Sequence, residues 1–298
     1  MRLDDYRTSD NVGDQRGQRF GGGGGGGGGI FGLLFGLVLN RFGIGGVIVL
    51  GIAYFLFAGG NPLGVTGGGT GTAPHQATGG KTAADACAVD AESKFSCQVL
   101  ASTEDTWAQI FTQAGQRYQP AGFIFYGDNG RSGCGAAQSA MGPFYCPSDN
   151  KIYLSTSFYS ELRNRFGAAG DFAQAYVIAH EVGHHIQQVT GVLDKARQAQ
   201  SRLSTKEGNA VQVLVELQAD CYAGVWAGRN RERLEPGDVQ EGMRAAEAIG
   251  DDALQMQAQG RVVPESFTHG TSAQRQQWLK RGMDSADPAQ CDTFGGKL

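Results

Sequence analysis

From Gly21 to Gly29 the chain is glycine without interruption, and from Phe42 to Gly60 it carries no charge. No other feature of the 298 residues restricts the fold as much. A glycine run buries no apolar surface and behaves as a linker. The apolar stretch begins at Ile30 and is broken once, at Asn40-Arg41; as a helix, residues 42–60 span ~28 Å, the depth of a bilayer core. Before the glycines, Arg2, Arg7, Arg16 and Arg19 are balanced by Asp4, Asp5, Asp10 and Asp14. After the apolar stretch, Pro62–Gly80 is rich in Gly, Thr and Pro and reads as a second linker.

The chain therefore divides into a polar and poly-Gly segment over 1–29, an apolar segment over 30–60 with one transmembrane helix at about 42–60, a flexible linker over 61–81 and a folded domain over 82–298. Arg19 and Arg41 lie on the N-terminal side of the apolar helix, and the next cation beyond it is Lys81. The positive-inside rule then places the N-terminus in the cytoplasm and the domain on the periplasmic or extracellular side of a single-pass anchor. A cleaved leader is the competing reading, but its charged head would be unusually long. A buried core helix is the other, and it sits badly between glycine-rich linkers.

All six cysteines, Cys87, Cys97, Cys134, Cys146, Cys221 and Cys291, follow the apolar segment. An even number on one side of a membrane suggests disulfides formed in an oxidising compartment. Cys134 with Cys146 would tie down a long loop and is the first choice. Cys221 with Cys291 would fasten the C-terminal tail, which leaves Cys87 with Cys97; six cysteines allow fifteen pairings, so the assignment is one of several. No C-x-x-C occurs, which disfavours a thiolate metal site. A formal net charge of −4 gives no basic surface for nucleic acid.

Within the domain, Ala83–Thr112 has helical spacing of apolar positions. Phe123–Tyr126 and Lys151–Ser155 read as short strands around a loop over 127–150. A helix starts at Asp171, where Asp171 and Gln174 form a capping box, and stops at Gly191. A second helix covers about Asn209 to Gly228. A third follows Pro236-Gly237, with Asp238 and Glu241 as its capping box, and a fourth begins near Ser272 and carries Trp278 and Leu279. The domain is thus α+β, mostly helical with a small sheet.

The helix from Asp171 carries His180-Glu181-Val182-Gly183-His184. His-Glu-x-x-His puts two imidazoles one turn apart on one face, a grip for one zinc ion, with Glu181 placed to act as a base on water. Zinc needs a third protein ligand. The pattern that takes it from a third histidine, three residues after a glycine, has Gln187 and Thr190 at those positions and is excluded. The alternative takes a glutamate from a later helix, and Glu216-Leu217-Gln218-Ala219-Asp220 supplies one. Glu216 is the third ligand, and Asp220, one turn on, accepts a hydrogen bond from a ligand histidine. His269, in Thr268-His269-Gly270-Thr271-Ser272, is the candidate donor to a developing oxyanion. His185 points away from the ligand face and reads as structural, and His75 falls in the linker. Lys151–Ser155 is the candidate edge strand for an extended peptide, and Gly183 permits close approach of a neighbouring element.

His180-Glu181-x-x-His184 with Glu216-x-x-Ala219-Asp220 resembles the gluzincin branch of zinc metallopeptidases. Further stretches are similar to the bacterial family called putative neutral zinc metallopeptidases: Gly133-Cys134-Gly135, Gly142 to Pro147, His180 to His185, Gln218 to Gly224 and His269 to Ser272. The resemblance covers essentially the whole chain, the glycine-rich N-terminus included. It implies a zincin-like catalytic domain with His180, His184 and Glu216 as ligands of one Zn2+ ion, Glu181 as base, and a peptide or protein as substrate. The reading is a membrane-anchored zinc peptidase; the alternative is a non-catalytic zinc-binding interaction or chaperone-like module on the same fold. Glu181 separates the two, since a degenerate site keeps its ligands and loses its base.

Overall fold

Two runs dense in aromatic and branched residues, Gly122–Tyr126 and Lys151–Ser155, pair in parallel and form the centre of a four-stranded sheet. The computed structural model describes residues 1–18, 82–164 and 170–296. In chain order the strands are β1 (Val12–Asp14), β2 (Gly122–Tyr126), β3 (Asn129–Ser132), β4 (Gly135–Gln138), β5 (Phe144–Cys146) and β6 (Lys151–Ser155). The helices are α1 (Ala83–Cys87), α2 (Ala91–Gln113), α3 (Phe158–Asn164), α4 (Asp171–Val189), α5 (Val192–Gln200), α6 (Thr205–Arg229), α7 (Asp238–Ala248), α8 (Asp251–Gln259) and α9 (Ser272–Ser285). The sheet runs β1-β2-β6-β5, with β5 antiparallel to β6, while β3 and β4 form a separate hairpin. The described residues are therefore α+β and mostly helical.

Helix α4 lies at the centre. It packs on α2, α6, α7 and the β5–β6 end of the sheet, and α6 packs on α9. Phe172, Tyr176, Ala179 and Val182 recur along one face of α4 and are buried with Trp226 and Leu279. At several points the elements approach more closely than side chains allow. A Cβ on Gly183 would stand 2.9 Å from the carbonyl oxygen of Ala219 on α6, so α4 and α6 touch backbone to backbone there. Gly282 of α9 meets the Cys221 carbonyl of α6 in the same way.

The first eighteen residues are not a separate segment. Strand β1 joins the sheet beside β2, and Met1 and Leu3 are 3% and 1% exposed within the main core. Sequence alone gives little sign of this, because three buried apolar residues are scattered among charges. Several polar groups of the tail are bonded to the domain. Glu104, nearly buried on α2, accepts from Ser9 Oγ at 2.6 Å, Asn11 Nδ2 at 2.8 Å and Arg7 Nη2 at 3.1 Å. The α-ammonium of Met1 reaches Asp171 at 2.7 Å and Asp238 at 3.0 Å, at the starts of α4 and α7. Burying the Met1, Leu3 and Val12 side chains contributes roughly 1.5–3 kcal/mol each.

Those two contacts also account for two departures from the expected capping. Asp171 and Asp238 do not cap their helices through side chains; Gly170 and Gly237 hold the N-cap positions, and both carboxylates turn to Met1 instead. The expected 83–112 helix is broken after Cys87 because Asp90 caps a new helix through the Ser93 N–H, and Cys87 bonds to Cys97 across the break. The 127–150 loop contains the β3–β4 hairpin and β5. Lys151–Ser155 is not an edge: β6 is flanked by β2 and β5, and the edges are β1 and β5. Gly191 ends α4 as expected, in the left-handed region at φ 78°. The disulfides are Cys87–Cys97, Cys134–Cys146 and Cys221–Cys291, the three pairs expected. Among the described residues no helix is long and apolar enough to cross a membrane; the apolar 42–60 stretch and both linkers lie outside those residues.

Candidate active site

Helix α4 presents His180 and His184 one turn apart, and α6 crosses it so that Glu216 faces both. Glu216 lies 3.3 Å from His180 Nε2 through Oε2 and 3.6 Å from His184 Nε2 through Oε1. One donor atom from each of the three residues falls within 4.8 Å of the others. A tetrahedral ion bound at zinc–nitrogen and zinc–oxygen lengths holds its ligand atoms ~3.3 Å apart. Spacing and donor chemistry therefore fit one zinc ion.

The ring nitrogens turned away from this triangle are all engaged. His180 Nδ1 donates to Asp220 Oδ1 at 2.8 Å, and His184 Nδ1 donates to Gln187 Oε1 at 2.9 Å. Gln187 is fixed in turn by donating to the Val215 carbonyl at 2.7 Å. Both imidazoles are thus held with Nε2 toward Glu216, the orientation a metal ligand requires. Asp220 is fully buried and collects three groups. Arg275 of α9 donates to both its oxygens at 2.8 Å, and Tyr176 donates to Oδ1 at 2.6 Å.

The electrostatics follow from these partners. Burial disfavours the Asp220 carboxylate, but Arg275 and His180 outweigh burial and hold its pKa at about 2. Burial also works against a charged His180, and Asp220 overrides it, raising the imidazole to about 9. Burial opposes the Glu216 charge, but the two histidines outweigh it and hold the carboxyl well below the usual range. Glu181 goes the other way: burial raises it, against the lowering effect of His184, His180 and a backbone N–H from Tyr145. Glu181 is thus the more easily protonated of the two glutamates.

Burial disfavours a charged His269, but its hydrogen bond to Asp251 and the negative charges of Asp251 and Glu216 override burial and raise the imidazole pKa. Its Nδ1 donates to Asp251 Oδ1 at 3.1 Å. The other oxygen of Asp251 accepts the N–H groups of Thr268, His269 and Gly270 at 2.7, 2.6 and 3.0 Å, which fixes the loop. His185 lies apart from the triangle. It is wedged between Tyr118 and Tyr145 and donates through Nε2 to the Gln119 carbonyl at 2.7 Å.

No site role for Arg275, Tyr176 or Asp251 is legible in the sequence, where Tyr176 counts only as an apolar position of the helix. Arg275 had a signal: it occupies the same stripe of α9 as Trp278, Leu279 and Gly282, where a charge needs a buried partner. Asp251 stands at the start of a helix, an ordinary place for an acid, and nothing in the sequence tied it to His269.

A family model described as "Putative neutral zinc metallopeptidase" matches residues 1–294. The chain is 48% identical over 300 residues to the uncharacterized protein YpfJ of Escherichia coli (strain K12), an alignment that takes in all of both chains. It is 40% identical over 242 residues to the uncharacterized protein Rv2575 of Mycobacterium tuberculosis (strain ATCC 25618 / H37Rv), covering 75% of this chain and 78% of the relative. No solved structure matches. With the match running from the first residue through His180, His184 and Glu216 to the C-terminal tail, the chain belongs to the putative neutral zinc metallopeptidase family so described.

Proposed function

We propose that the protein is a zinc-dependent endopeptidase with a zincin-like site, held at a membrane through residues 30–60 and working outside the cytoplasm. One observation carries the catalytic reading: a complete ligand triangle of His180, His184 and Glu216 has an intact, buried Glu181 beside it. A bound zinc ion supplies Lewis acidity that activates water and polarises a peptide carbonyl. Glu181 takes a proton from the attacking water and returns it to the leaving amine. Its raised affinity for protons, a product of burial, suits it to both halves of that transfer. His269, oriented by Asp251, is the donor for the developing oxyanion. The sheet edge on this side is β5, whose Tyr145 backbone N–H is near enough to Glu181 to favour its charge, so β5 replaces β6 as the strand that would align an extended peptide. Three disulfides support an oxidising compartment.

The test is zinc content together with hydrolysis of a broad peptide library by the purified full chain and by Glu181→Gln. The full chain is required because residues 1–18 complete the sheet. Both proteins should hold about one zinc ion, and only the native one should cleave. Zinc bound by both with cleavage by neither would favour the non-catalytic zinc module; a native chain without zinc would remove the ligand assignment.

A further inference from the structure

The apolar segment is connected to the folded body at two points, and the structure brings those points together. The chain leaves the body after Gln18 and returns at Thr82. At the leaving end Arg16 donates through Nη2 to the carbonyl of Ala86 at 2.7 Å and through Nη1 to Ser93 Oγ at 2.8 Å, so it bonds directly to the returning end. Helix α1, the first element after the return, packs beside β1, the last before the departure. The returning end is locked further by Cys87–Cys97, and Ser9 donates its N–H to the Cys97 carbonyl at 3.1 Å.

Residues 1–18 are also integral to the sheet and the core. The Phe123 N–H is donated to the Asn11 carbonyl at 2.8 Å and the Gln15 N–H to the Phe125 carbonyl at 2.7 Å. Withdrawing this segment would expose the β2 edge, uncover Leu3 and Met1, and leave the buried carboxylate of Glu104 without Ser9, Asn11 and Arg7. A bilayer between residues 1–18 and 82–296 would require all of that.

We infer that residues 1–18 and the 82–296 domain lie on the same side of the membrane, with the face that carries Gln18 and Thr82 turned toward the bilayer. A chain that departs and returns on one side cannot cross a single time between the two points. Residues 30–60 are then the basis of attachment without a net crossing, and the N-terminus shares the oxidising compartment of the disulfides. This departs from the single-pass arrangement that the positive-inside rule suggests, because that rule weighs flanking charge and takes no account of the folded state of the tail.

The test uses the full-length chain in sealed spheroplasts and a membrane-impermeant maleimide. All six native cysteines are paired, so Asp10→Cys and Gln259→Cys, both at exposed positions, each add one reactive thiol. The expected result is that both are labelled to a comparable extent without detergent. Labelling of one only in intact spheroplasts and of the other only after lysis would overturn the inference. Recovery of the native chain in the carbonate-soluble fraction would overturn it as well, since there would be no attachment to describe. Should either thiol disturb the disulfides on a non-reducing gel, an epitope inserted between Gly17 and Gln18 and read by antibody on intact and lysed cells gives the same two outcomes. Zinc content and hydrolysis are independent of these readouts, so the peptidase reading can fail while this one stands.

Discussion

Asp220 shows how much of the site rests on one side chain. It orients His180, and it is held as a carboxylate, with no exposure to water, by Arg275 and Tyr176. Removing one partner of a buried ion pair leaves an uncompensated charge and costs about 3–5 kcal/mol. Arg275→Met should therefore lower the stability of the zinc-free chain by about that much in urea unfolding, and a loss under ~1 kcal/mol would show that Asp220 does not depend on the pair. The same network sets a pH dependence. His180 is raised from 6.5 to about 9 in the fold, so the stability drawn from its protonated form is complete below pH 6.5 and is lost as pH rises through about 9. A zinc ligand must be unprotonated at the binding nitrogen, so zinc competes with that proton. Zinc affinity measured against a competing chelator should rise from pH 6.5 to 9, and Asp220→Asn should flatten the rise and weaken binding by roughly 10–100-fold. The residues read from sequence, His180, Glu181 and His184 on α4 and Glu216 and Asp220 on α6, are those whose spacing within their own helix carries the information. Arg275 and Asp251 are brought in by tertiary packing from other helices, and local spacing holds no trace of that.

At the scale of elements, the site depends on how closely α4 and α6 approach. Gly183 lies between His180 and His184 in sequence and touches Ala219, which lies between Glu216 and Asp220. A methyl group there would meet backbone at 2.9 and 3.0 Å, which cannot rotate away. Gly183→Ala should force the helices apart, destabilise the fold by about 1–3 kcal/mol as overpacking does, and weaken zinc binding, because the proposed ligands His180 and His184 sit on one side of the contact and Glu216 on the other. Calorimetric unfolding with a zinc titration reads both, and unchanged zinc affinity in a destabilised protein would separate packing from ligand spacing. Helix existence was largely legible, since α4, α6 and α9 have clear periodicity. Helix starts were less so. Ser204 with Glu207 and Thr271 with Gln274 are true capping boxes. Asp171 with Gln174 and Asp238 with Glu241 have the same pattern, but their aspartates serve a distant ammonium instead. A local rule cannot see a partner more than 150 residues away.

For the whole molecule, the decisive feature is that a charged tail read as independent completes the sheet and braces α4 from its first residue. If so, residues 82–298 alone lack an edge strand, three core side chains and the partners of Glu104. That fragment should unfold at lower denaturant than the full chain, and a separate peptide of residues 1–18 should restore its midpoint in a concentration-dependent way, as any ligand of the native state does. The Met1 ammonium adds a sharper criterion. Burial opposes its charge, but Asp171 and Asp238 override burial and raise its pKa above 8.0, so its contribution is present below pH 8 and is lost as pH rises through the higher folded value. An acetylated peptide has no such charge. It should restore less than the free peptide at neutral pH, and the difference should vanish as pH rises past the folded value. Equal rescue by both peptides at neutral pH would confine the tail's role to strand and core. A fragment as stable as the full chain would remove even that, and with it the reason for holding the N-terminus and the domain on one side of the membrane.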